Sequence, residues 1–149
     1  MEYHRTQRAP LWLILLLPAV ILPVAAWFTR DELAVTILLL ALASAFVLVA
    51  MMFGTLTIRD EGDALGVRFG PLPLLGTRIR YADITAVEPG RTSVIDGWGI
   101  HWVPGRGTTY NLWGFDCVRI QLGTRRVNVG SDDVENLVAF LRRRTGVTA

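Results

Sequence analysis

Two apolar runs, LWLILLLPAVILPVAAWF and LAVTILLLALASAFVLVAMMF, occupy Leu11 to Phe53 with only Thr29-Arg30-Asp31-Glu32 between them. Neither run contains a charged side chain. A bilayer-spanning helix needs roughly 20 mostly apolar residues, and both runs are close to that length. A soluble chain of 149 residues would have to bury both runs, and the remainder is too small to cover them. The expectation is a membrane-anchored α+β protein: a two-helix transmembrane hairpin in residues 1–54, with spans at 11–28 and 33–53, followed by one domain over 55–149.

Trp12 and Trp27-Phe28 stand near the two ends of the first run, where aromatic side chains mark the membrane–water interface. Pro18 and Pro23 lie inside it, and membrane helices tolerate proline better than soluble ones. A cleaved signal peptide is the competing reading, with Arg5 and Arg8 as its basic region and Val24-Ala25-Ala26 as a cleavage site. The run is long for such a peptide, however, and a second run follows after four residues. Arg5 and Arg8 precede the hairpin and Arg59, Arg68, Arg78 and Arg80 follow it, whereas the linker holds Arg30 alone. Basic residues mark the cytoplasmic side, so both termini are expected there. Small residues at Ala41, Ser44 and Ala45 offer the second helix a face for packing on the first.

From Thr55 the pattern changes to short alternating segments broken by glycine. Thr55–Arg59 and Leu65–Phe69 flank Asp60-Glu61-Gly62-Asp63 and read as a β-hairpin. Thr77, Ile79 and Tyr81 alternate with Arg78 and Arg80; Val118, Ile120 and Leu122 form the inward face of a later strand, with Val127 and Val129 in its partner. Val134, Leu137, Val138 and Leu141 make one helical stripe. Ser131 or Asp132 is placed to cap that helix, and Asp132 with Glu135 has capping-box spacing. Six or seven antiparallel strands closed by one C-terminal helix are therefore expected.

At the residue level, LTIRDEGDALGVRFGPLP, RIRYADITAVEP, GWG and VRIQLGTRRVNVGSDDVENLVAFLRRR resemble the bacterial PH-like (pleckstrin-homology-like) family of small two-span membrane proteins. The resemblance runs from about Leu56 to Arg144. It implies a PH-like antiparallel β-barrel plugged by a C-terminal helix, and a role in assembly.

No residue pattern supports catalysis. His101 is the one histidine beyond the N-terminal residues 1–10, and Cys117 is the one cysteine, which excludes a paired-histidine metal site within the domain and an intramolecular disulfide. Cys117 falls on the outward set of its strand. No P-loop, nucleophile elbow or dinucleotide fingerprint is present, and no metal or cofactor is expected. All 15 basic residues are arginine against 13 acids, a balance too even to suggest nucleic acid. Two surfaces remain. Arg59, Arg68, Arg78 and Arg80 occupy outward positions of neighbouring strands and would form a patch for anionic lipid or a phosphorylated headgroup, or an ordinary solvated face. Trp98, Trp102 and Trp113 either fill the core, as expected for Trp98, or form an aromatic surface for a protein partner. The leading expectation is a non-catalytic membrane protein that binds another protein or forms a homo-oligomer through its cytoplasmic domain.

Overall fold

A computed structural model describes residues 2–71, 74–93 and 98–147. The first element, β1, His4–Arg8, is a strand not expected from the sequence, and it precedes the helices α1 (Leu11–Phe28) and α2 (Leu33–Met52). Its single inward position, Gln7, is polar, so no apolar alternation announces the strand. β2 (Thr55–Asp60), β3 (Ala64–Phe69) and β4 (Leu75–Arg80) follow, and a short helical turn, Tyr81–Asp83, leads to β5 (Ala86–Arg91). Then come β6 (Gly99–Val103), β7 (Gly107–Asn111), β8 (Asp116–Leu122), β9 (Arg125–Gly130) and α3 (Val134–Thr145).

The strands form two sheets, β1-β2-β3-β4 and β5-β8-β9-β7-β6. The expected closed antiparallel barrel is thus replaced, among the described residues, by a four-stranded and a five-stranded sheet. The second is mixed, because β9 inserts between β8 and β7, antiparallel to the first and parallel to the second. The aromatic stretch after Arg91 supplies β6 and β7.

One core lies between these layers. Leu56 and Ile58, then Leu65, Val67 and Phe69, point inward at alternate positions from β2 and β3, and Val118, Ile120, Val127 and Val129 do so from β8 and β9. The α3 stripe adds Leu137, Val138 and Leu141 as expected, together with Phe140. The predicted capping box does not form. α3 begins at Val134 with no side-chain capping bond, because the acids ahead of it bind β1. Arg5 donates to both carboxylate oxygens of Asp132 at 3.1 and 3.0 Å, and the Tyr3 hydroxyl donates to Asp133 at 3.3 Å. Burial, with the Asp133 charge, pushes the Tyr3 hydroxyl up to about 12.

α2 is long and apolar enough to cross a membrane, whereas the apolar stretch Trp12–Phe28 is shorter. α1 and α2 pack along each other. The small residues that α2 buries are Ala43 and Ala50, seven apart and so on one helix face; Ala41, Ser44 and Ala45 are exposed. β1 and β2 are antiparallel neighbours, with Arg8 opposite Thr55, so the hairpin leaves and re-enters the same sheet at adjacent positions.

Candidate functional site

The four arginines expected as a patch do lie on three adjacent strands, and their partners divide them. In β2, β3 and β4, Arg59, Gly66 and Arg78 share one register row, with Arg68 two residues further along β3. Gly66 has no side chain to occupy the space between the two arginines, and Glu61 fills it: a Cβ at Gly66 would stand 2.6 Å from Glu61 Oε1. Glu61 accepts from Arg59 at 2.9 Å and from Arg68 at 2.7 Å, and its second oxygen lies 3.3 Å from Arg78 Nε. Arg78 also donates to Asp63 at 2.6 Å. Arg80 stands apart, bound through two nitrogens to Asp83. Burial raises the Glu61 carboxyl, but the guanidinium groups of Arg59 and Arg68 outweigh it, and the net direction is down.

The same end of the sheet carries a second polar knot. Tyr81 donates to Asp60 at 2.8 Å, and Arg144 lies over the Tyr81 ring while donating to the Gly62 carbonyl. Burial and the Asp60 hydrogen bond raise the Tyr81 hydroxyl. These contacts tie the end of α3 to the β2–β3 turn.

The tryptophans fall in two places. Trp98 and Trp113 stack with ring centroids 4.6 Å apart, and both keep more than a third of their surface exposed. Trp98 is therefore not the core residue expected. The described core is already filled by aliphatic side chains with Phe69, Tyr81 and Phe140. The pair lies beside the root of the hairpin: Gln7 donates to the Trp113 carbonyl at 3.0 Å, and Gly99 packs against the Phe53 ring. Trp102, 71% exposed, projects from β6 on the same face as Ile100, two residues earlier.

β6 is an outer strand that pairs with β7 alone. The other three outer strands carry charge or proline: Arg5 and Arg8 in β1, Arg78 and Arg80 in β4, Glu88, Pro89 and Arg91 in β5. β6 reads GIHWV, with no formal charge and no proline.

Cys117 is fully buried, although its alternation placed it outward. The strands on either side offer Gly90 and Gly130 opposite it, and the polar residues Thr92 and Asn111 are buried on this side of the sheet as well. Both faces of β8 are therefore covered at that point. His101 is exposed on β6. Among the described residues, no three His, Cys, Asp or Glu side chains gather as a metal site would require. Comparisons with family models, curated proteins and solved structures found no match to this chain.

Proposed function

We propose that the chain is a non-catalytic inner-membrane protein whose PH-like domain mediates protein–protein assembly, with β6 as the edge through which a second copy pairs. The observation that carries this reading is the contrast among the outer strands. An unprotected sheet edge presents unpaired backbone N–H and C=O groups to any extended strand, and proteins normally blunt such edges with charge or proline. Three of the four edges are blunted in that way and β6 is not. Antiparallel pairing of two β6 strands about His101 sets Ile100 of one copy beside Trp102 of the other, an apolar cross-strand pair. The two-sheet domain with its C-terminal helix fits the PH-like resemblance; β1 and the parallel β7–β9 pair are departures from it.

The test uses the full chain purified in mild detergent. The native protein is expected to run as a dimer and the Ile100→Lys/Trp102→Lys variant as a monomer. Both side chains are exposed, so thermal stability is expected to shift by no more than about 0.5 kcal/mol. A native monomer, or a dimer that survives the double substitution, would overturn the reading.

The β1–β2 pairing supports a two-span reading with both helix ends on one side, and the arginines outside the hairpin support the cytoplasmic side for both termini. Whichever side of a membrane holds β2 also holds β1, so a crossing by α2 obliges α1 to cross. Buried Cys117 is a silent background for thiol labelling. Asp31→Cys, in the exposed hairpin turn, is expected to react with an impermeant reagent in intact cells, and Arg143→Cys, on α3, only after lysis. The reverse pattern would refute this orientation.

The alternative, a headgroup site on Arg59, Arg68, Arg78 and Arg80, has less behind it. Each guanidinium already has a carboxylate within 3.3 Å. Arg59 also stands four residues along β2 from the end of the hairpin, roughly 13 Å in an extended strand.

A further inference from the structure

The face of the five-stranded sheet opposite the core holds a different set of arginines. Glu88, Arg119, Asn128 and Thr109 align across β5, β8, β9 and β7. Arg119 folds back over Gly90, where a Cβ would stand 2.6 Å from its Nε, and donates to the Arg91 carbonyl at 3.2 Å. Arg91 at the end of β5, Arg106 in the turn before β7, Arg119 and Arg126 line a cavity of about 240 Å³ together with Thr92 and Asn128. Among the described residues no carboxylate lines it. The one described ion pair at its rim, Arg91 with Asp116 at 3.3 Å, is more than two-thirds exposed on both sides and so contributes little. Arg126 is exposed and makes no described hydrogen bond or ion pair.

Asn128 supplies the second observation. It is 6% exposed, and its amide donates to the Arg106 carbonyl at 3.2 Å and to Thr109 Oγ1 at 3.0 Å. Its Oδ1 is buried and has no hydrogen-bond partner. Buried polar atoms are nearly always paired, and Asn128 is both a lining residue of this cavity and the holder of an unmet acceptor.

We propose that this cavity binds a phosphoryl group, either free phosphate or the monoester headgroup of a lipid. Guanidinium forks match the oxygens of a tetrahedral oxyanion and make charge-assisted hydrogen bonds to them. Asn128 Oδ1 needs a donor, and monohydrogen phosphate carries one on its protonated oxygen. Sulfate has the same shape and charge but no proton to give, so the site selects phosphate over sulfate.

The experiment is isothermal titration of the full chain in detergent with potassium phosphate and, separately, potassium sulfate. Saturable phosphate binding is expected, with sulfate weaker by about tenfold or more, the worth of one hydrogen bond to a buried acceptor. Arg126→Gln, which disturbs no described contact, should weaken phosphate about tenfold, and Arg119→Gln at least as much. Arg143→Gln, on α3, should leave binding unchanged. Absence of saturable phosphate binding, equal affinities for the two anions, or phosphate binding indifferent to Arg126→Gln would each overturn the proposal. Repeating the titration in nanodiscs identifies the source. Loss of the phosphate signal when phosphatidic acid replaces part of the phosphatidylcholine assigns the pocket to a lipid headgroup. An undiminished signal assigns it to the free anion.

Discussion

On the four-stranded sheet, Arg59, Arg68 and Arg78 share Glu61, while on the five-stranded sheet Arg91 pairs with Asp116 and Arg119 and Arg126 have no described carboxylate partner. Arg119 and Arg126 sit at outward strand positions, as Arg59, Arg68 and Arg78 do, and the residue type is the same. The difference lies in the turns. The β2–β3 turn is Asp60-Glu61-Gly62-Asp63, which delivers three acids to the ends of the arginine-bearing strands; the β8–β9 turn is Gly123-Thr124, followed by Arg125 and Arg126. An arginine patch is thus made or cancelled by the loop beside it.

This comparison can be broken most directly at Glu61. Glu61→Gln leaves Arg59, Arg68 and Arg78 facing one another around a neutral side chain, and is expected to cost about 2 kcal/mol, the scale of hydrogen bonds to a charged group. Thermal unfolding of the full chain in detergent would measure it. A pH series sharpens the point. The Glu61 carboxyl titrates below its ordinary value, so its contribution is complete above the unfolded carboxylate range, about pH 4.3, and is lost as pH falls through the lower folded value. Glu61→Gln should remove that part of the acid limb. Asp116→Asn is the small effect: an exposed pair on the other sheet should change stability by less than about 0.5 kcal/mol. A large loss from Asp116→Asn, or none from Glu61→Gln, would show that the two arginine groups do not differ in the way their contacts imply.

Much of the fold was legible where the pattern is dense. The β2–β3 hairpin, the β8–β9 hairpin and the α3 stripe were read from alternation and helical spacing, and the structure has them in place. β1 was not legible, because its burial depends on pairing with β2 across the whole hairpin and its inward residue is Gln7. The same long-range pairing redirected Asp132 and Asp133 from capping α3 to binding Arg5 and Tyr3. Of the candidate surfaces, the outward arginines were found and their neutralisation by Glu61 was not, since it depends on the space above Gly66. The second arginine group is not legible in the sequence, because its members come from four separate segments that only the sheet order brings together. Two of them, Arg125's neighbour Arg126 and Arg119, sit in strands read for their apolar residues.

The pairing of β1 with β2 also sets a schedule. His4–Arg8 leaves the ribosome before either helix, yet its partner Thr55–Asp60 emerges only after both. At roughly 5–20 residues per second, the first strand waits a few seconds for its partner. Completion of the four-stranded sheet then closes the loop and holds the two helix ends side by side. A chain whose two helix ends stood apart would be left with β1 and β2 unpaired, so completion of the four-stranded sheet depends on the packing of α1 against α2.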